Sequence, residues 1–176
     1  ESKPGQGSCF EVLIDLKIAK ERPAFLSSKE EETPNGAILE GMHFLCAEDN
    51  ELNAEILTEL LKMKGAECTI CENGQKVVET FEQSVPGAYD MILMDVQMPV
   101  MNGYDAARAI RRSLHKQAGT IPIIAMTANA FSEDIRHSLT AGMNAHISKP
   151  VDMMLLEKTI RSIKSGGRSE TQADKE

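Results

Sequence analysis

The chain of 176 residues is short of positive charge: 19 Lys and Arg stand against 27 Asp and Glu, for a formal net charge of -8. A nucleic-acid surface needs a basic footprint, so that class of function is disfavoured. No apolar run approaches the roughly 20 residues that cross a bilayer, and no secretory leader opens the sequence, so no membrane contact by this stretch is expected. An initiator Met is also missing, and the opening Glu1-Ser2-Lys3-Pro4 suggests a piece excised from a longer protein. Internal repeats are absent. Cysteines number four, and Cys68-Thr69-Ile70-Cys71 has the spacing of a redox or zinc pair. That segment reads as a strand, however, where residues three apart point to opposite faces. A redox pair would open a helix, so structural cysteines in a reducing, cytoplasmic compartment are expected.

What is present is enough apolar residue, 41%, for one ordinary domain with an extension. The chain is organised around Tyr89-Asp90-Met91-Ile92-Leu93-Met94-Asp95-Val96-Gln97-Met98-Pro99. An apolar run of strand length, with no polar face, predicts a central strand of a parallel sheet that stops at Asp95. In open α/β sheets that carboxyl edge is where ligands bind.

Taken in order, residues 8–18 alternate, with Phe10, Val12, Ile14, Leu16 and Ile18 on one face, as in a half-buried antiparallel strand. Residues 27–41 are polar, acidic and broken by Pro34 and Gly36, and read as a linker. From Met42, strands and helices alternate. Strands are expected over 42–47, 67–71, the apolar run that ends at Asp95, 121–126 and 145–147. The expected helices are 51–64 with Leu52, Ile56, Leu60 and Met63 on one face, 74–83 through Val77, Val78 and Phe81, and 103–114 with Ala107, Ile110 and Leu114 inward. A fourth covers 132–141 with Ile135 and Leu139 inward. The fifth opens after Lys149-Pro150 and continues through Leu156, Ile160 and Ile163. Residues 167–176 are expected to be a disordered tail. Five alternating pairs predict a doubly wound three-layer α/β domain over residues 42–166, with right-handed crossovers. Met91, Met94 and Met126 are read as core filler.

The polar residues fall on the strand ends. Glu48 and Asp49 follow the first strand, Asp95 the third, Thr127 the fourth and Lys149 the fifth, all at one edge of one sheet. Clustered carboxylates raise one another's pKa and need a cation to stay ionised. Mg²⁺ suits oxygen ligands and engages phosphate, so Asp49, Asp95 and the backbone carbonyl of Gln97 are expected to bind it, with Glu48 acting through water. Asp95 would then attack as a nucleophile to give an acyl phosphate, its charge repulsion with the incoming group relieved by the ion. Lys149 would pair with Asp95 and then hold a phosphoryl oxygen, and Thr127 would donate its hydroxyl to another.

At these residues a family resemblance appears. Ala47-Glu48-Asp49-Asn50-Glu51-Leu52-Asn53, Met94 to Gly103, Met126-Thr127-Ala128-Asn129-Ala130 and Ala141 to Pro150 resemble the receiver domain of two-component response regulators, of the kind fused to hybrid sensor histidine kinases. The resemblance covers about residues 42 to 164. It implies a flavodoxin-like strand order of 2-1-3-4-5, a Mg²⁺ site, self-catalysed transfer from phosphohistidine to Asp95, and a Thr127 hydroxyl that moves toward the phosphate. It also implies a switch ring three residues before the lysine, where His146 replaces the usual Tyr or Phe and titrates near neutrality. Glu48 stands where many members have Asp, an extra methylene that an outer-sphere role tolerates. The implied partners are the phosphohistidine-bearing dimerisation domain of a histidine kinase and a downstream histidine phosphotransfer protein. Residues 1–10 resemble the closing strand of a histidine kinase ATP-binding domain, so residues 1–26 would be its remnant, from a parent that is itself a kinase and compatible with a membrane anchor.

Each motif also has a plain reading: Glu48-Asp49-Asn50 as a helix cap, Lys149-Pro150 as a helix start, Thr127 as a cap. Their coincidence on one edge favours the chemical reading. Among rivals, an aspartate-nucleophile phosphohydrolase of the haloacid dehalogenase type resembles an Asp-x-Asp pattern, and Gln97 holds the second acid's place. A flavodoxin-like flavin binder would need a glycine- or hydroxyl-rich loop after the first strand, which is missing. A receiver-like module that never takes up phosphate is disfavoured by the acid pair.

Overall fold

The structure, a computed structural model, describes residues 2–3, 7–8, 38–128 and 132–166. The chain divides into two units, residues 1–35 and 36–176. Of the first, strands β1 (Ser2–Lys3) and β2 (Gly7–Ser8) pair antiparallel, Ser2 opposite Ser8. The alternating strand expected over 8–18 lies, apart from Ser8, outside the described residues, as do the tail 167–176 and most of the linker.

In the second unit, β3 (His43–Ala47), α1 (Glu51–Met63), β4 (Glu67–Cys71), α2 (Gly74–Gln83), β5 (Met91–Asp95), α3 (Gly103–Arg112), β6 (Ile123–Thr127), α4 (Ser132–Thr140), β7 (Ala145–Ser148) and α5 (Met153–Lys164) follow one another. The sheet is all parallel in the order β4-β3-β5-β6-β7, which is the expected 2-1-3-4-5 order of five strands. Every residue of the central β5 is buried, because its side chains serve two cores in alternation. Ile92 and Met94 join Leu45, Val77, Phe81, Ala106 and Ile110 under α2 and α3. Met91 and Leu93 join Phe44, Leu57, Leu61, Leu156 and Ile160 under α1 and α5. Leu39, assigned from sequence to the linker, is buried in this second core, so the packed unit starts ahead of Met42.

Four helices begin on side-chain caps set just past strand ends. Asn50, Asn73 and Asn102 each accept the backbone N–H three residues on, and Asp152 accepts those of Met154 and Leu155. Capping of this kind satisfies donors the helix leaves open and fixes where each helix starts, on the carboxyl rim of the sheet. Gly103 folds the loop after β5 back onto the strand: a Cβ there would overlap the carbonyl oxygen of Asp95.

Several expectations need correction. The face of α1 carrying Leu52, Ile56 and Met63 is turned outward, at 64%, 51% and 80% exposure, and Ala54, Leu57 and Leu61 face the core. Two apolar stripes run along this helix, and periodicity alone does not say which one docks. Helix α3 stops at Arg112 with Ser113 as its C-cap, which leaves Leu114 fully exposed instead of inward. On α4 it is Ser138 that is buried, and Leu139 is exposed. Pro150 follows a cis peptide bond in a loop, and Asp152, not the proline, opens α5. Strand β6 begins at Ile123 and takes in Thr127. Cys46, Cys68 and Cys71 are free thiols, with Cys71 in the first core and Cys68 against the second, on opposite faces of β4 as expected.

Candidate functional site

The carboxyl rim of the sheet gathers the polar residues named from sequence. Glu48 leaves β3 with its N–H bonded to the Cys71 carbonyl at 3.0 Å, which turns its side chain over the sheet end. Asp95 is the last residue of β5 and Thr127 the last of β6, on neighbouring strands where Asp95 pairs with Met126. Thr127 is buried, and its carbonyl accepts the Lys149 N–H at 2.8 Å, tying the loop after β7 to the end of β6.

Lys149 is the centre of the geometry. Its Nζ lies 2.7 Å from Asp95 Oδ2 and 2.6 Å from Glu48 Oε2, with the three side chains only 21%, 7% and 3% exposed. The other oxygen of Asp95 accepts the backbone N–H of Gln97 at 3.2 Å. Asp49 completes the group from the exposed side: Glu48, Asp49 and Asp95 each offer an oxygen within 4.8 Å of the others. All the acids expected to meet therefore do meet, beside the expected amine. The Glu48-Asp49-Asn50 run proves to be both acid pair and cap, since Asn50 opens α1.

Burial pushes the Asp95 carboxyl above its ordinary range; hydrogen bonding and attraction from Lys149 and the Gln97 N–H pull it back only in part, and Glu48 adds to the rise. Burial works against the Lys149 ammonium as well, but Asp95 and Glu48 outweigh it and hold that pKa up. Three carboxylates and one ammonium leave two net negative charges in a partly desolvated space. One divalent cation bound by oxygens would neutralise them, and the donor set, all oxygen, fits a hard ion.

Two further residues have different standing. His146 lies on β7, three residues ahead of Lys149, half-buried, and desolvation lowers its imidazole pKa. Asn53, in the motif that follows the first strand, carries no expected role in the site. Its Nδ2 donates to Glu48 Oε1 at 3.0 Å, one turn into α1. The only sequence signal was an amide side chain at helical spacing from the strand end.

A doubly wound sheet whose switch-point rim carries acids, a half-buried lysine and a strand-end hydroxyl defines a small class of α/β modules. The chain belongs to one of them: the family model of the response regulator receiver domain matches residues 44–161. Probable histidine kinase 2 of Oryza sativa subsp. indica is 34% identical over 148 residues, 78% of this chain and 14% of that protein, so the chain spans about a seventh of this relative's length. The receiver domain of sensor histidine kinase PA1611 from Pseudomonas aeruginosa, crystallised with a magnesium ion in its active-site cleft, superposes with a TM-score of 0.62 at 35% identity, over 72% of this chain and 99% of that one. The receiver domain of Ssk1 from Saccharomyces cerevisiae, solved in complex with the histidine phosphotransfer protein Ypd1, gives 0.62 at 32% identity over 70% and 88%.

Proposed function

We propose that this chain is the phosphoacceptor module of a hybrid histidine kinase phosphorelay, and that Asp95 takes the phosphoryl group. The observation that carries the reading is the Lys149 ammonium held between Asp95 and Glu48 beside Asp49. Two receiver-domain neighbours solved with magnesium, one of them with the ion in its active-site cleft, support Mg²⁺ as the ion. Bound by Asp49, Asp95 and the Gln97 carbonyl, with Glu48 reached through water, it would offset the negative charge that otherwise repels a phosphoryl group from a carboxylate.

The residues then divide the work. An Asp95 carboxylate oxygen forms the new O–P bond as the N–P bond of a phosphohistidine breaks, and the imidazole leaves with the electron pair and takes up a proton. Lys149, already 2.7 Å from Asp95, is placed to follow the arriving phosphoryl oxygens. Thr127, buried at the end of the adjacent strand, would supply a hydroxyl to the same group and His146 a ring that responds to it.

The donor would be a phosphohistidine domain and the downstream acceptor a histidine phosphotransfer protein, as in the Ssk1 neighbour's complex. The outward apolar stripe of α1 supports this. Ile56 and Leu60 line a groove that runs to Glu48 and Lys149, an apolar surface beside the site on which a partner helix could dock. Residues 1–26 as the end of a kinase ATP-binding domain, 27–41 as linker and a cytoplasmic setting complete the proposal; among the described residues no helix is long and apolar enough to cross a membrane.

The test is mass spectrometry after incubation with acetyl phosphate or beryllofluoride and Mg²⁺. One group should be taken up at Asp95, and none by Asp95→Asn. Labelling of Asp95→Asn at the level of the unsubstituted chain would reject the assignment.

A further inference from the structure

We propose that Asn53 is a positioning residue for the acid cluster: from the first turn of α1 it clamps the Glu48 carboxylate, fixing it between Asn53 and Lys149 and so setting the affinity of the neighbouring cation site. The inference rests on the reading of this rim as a Mg²⁺ and phosphoryl site.

Glu48 has three rotatable side-chain bonds and a side chain 3% exposed. A carboxylate so buried needs fixed partners at both oxygens. Oε2 has Lys149 at 2.6 Å, and Oε1 has the Asn53 amide at 3.0 Å. Because a carboxylate only accepts, the Asn53 group facing it must be the NH₂, which fixes the orientation of the amide. The helix itself does not require this side chain. A residue three past the cap often reaches back to the cap's own N–H, but the capping bond here runs from the Asn53 backbone N–H to Asn50 Oδ1 at 3.0 Å. Asn53 instead reaches past the cap to Glu48, the residue just after β3, so its amide serves the site.

Two consequences share one sign. Without the amide, Glu48 gains rotamers that carry its charge away from the cluster, which lowers the attraction for a cation. Lys149, no longer shared, then pairs more fully with Asp95 and competes harder with the ion for that ligand. Both weaken Mg²⁺ binding. Partners one shell out from metal ligands are worth 10–100-fold in affinity, and because Glu48 itself acts through water, the loss here should be roughly three- to tenfold.

The experiment is a double-mutant cycle on Mg²⁺ dissociation constants, measured by amide shifts in Mg²⁺ titrations of the full chain, with Asn53→Ala, Glu48→Ala and the pair. Asn53→Ala keeps the Asn50 cap, since only the backbone N–H takes part, and Ala favours helix. Asn53→Ala should weaken binding in the Glu48 background and change nothing in the Glu48→Ala background. The Lys149 ammonium proton signal should also exchange faster with water in Asn53→Ala. Equal affinity with and without Asn53→Ala, or an equal loss in both backgrounds, overturns the proposal while the metal site stands. If Asn53→Ala fails to fold, Asn53→Ser replaces it in the same cycle, and the same outcomes decide. If the unsubstituted chain binds no Mg²⁺, the reading of the site falls and the proposal with it.

Discussion

The two rims of the one sheet are built on opposite electrostatic plans. At the carboxyl rim, two buried carboxylates share a single ammonium and a third acid waits beside them. At the opposite rim, a half-buried Arg111 has no carboxylate partner among the described residues: it donates to the carbonyls of Gly142 and Ala118, both at 2.8 Å, and to Asn144 Oδ1 at 3.0 Å. Nearby, His115 uses both ring nitrogens on backbone, accepting from the Gln117 N–H and facing the Ser84 carbonyl, each at 3.2 Å. One rim is a charge cluster short of a cation, and the other is held by hydrogen bonds to neutral acceptors, with the buried Ser113 Oγ at the end of α3 left without a partner among the described residues. The same parallel strands thus supply a reactive end and an inert end. The difference lies in whether charges of one sign are gathered at one point.

The largest effect should come from breaking the first plan. Lys149→Met leaves Asp95 and Glu48 buried without their counter-ion, and removing one partner of a buried pair typically costs about 3 kcal/mol or more. Urea unfolding in EDTA should show a loss of about that size. Mg²⁺ should restore part of it and bind more tightly than to the unsubstituted chain, because the competing ammonium is gone. A Lys149→Met chain as stable as its parent in EDTA would mean the cluster carries no stored repulsion.

Arg111→Leu tests the second plan. Three acceptors lose their donor, although Asn144 Oδ1 keeps the Ile123 N–H at 2.9 Å, so the expected loss is about 2 kcal/mol. Mg²⁺ should leave that loss unchanged. A Mg²⁺-dependent loss would show that the rims are coupled through the sheet and would blur the contrast.

The contrast was half legible in the sequence. Strand runs that are apolar on both faces, each ending in a polar residue, place Glu48, Asp49, Asp95, Thr127 and Lys149 on one rim by local information alone, and the structure puts the acids and the lysine together there. The Asn53 bond was not legible, because it depends on the Glu48 rotamer and on Asn50 having taken the cap. Nor was the Arg111 network, whose partners are chosen by how the turns at the far rim pack: Arg111 and Asn144 lie 33 positions apart. The docked face of α1 was misread for a related reason. Leu52, Ile56, Leu60 and Met63 form as good a stripe as Ala54, Leu57 and Leu61, and only the approach of the sheet selects the second. The outward stripe is then free to line the groove beside Lys149.

The smallest expected effect concerns His146, between the rims on the edge strand β7. Burial there disfavours the imidazolium and lowers the folded-state pKa below the unfolded value of about 6.5. The unfolded chain therefore binds more protons through that window, and stability must rise with pH across it. Above about 6.5 the neutral ring carries no penalty, and as pH falls through the lower folded value the stability is lost. His146→Phe removes the proton. Its unfolding free energy should fall less between pH 7.5 and 5.5 than that of the parent, by a fraction of a kcal/mol, since the ring is only half-buried. An identical pH slope in the two chains would place the ring in water in the unphosphorylated domain. The half-buried starting point for an inward and outward swing at this position would then be gone, and with it the reason to treat an imidazole here as equivalent to a phenyl ring.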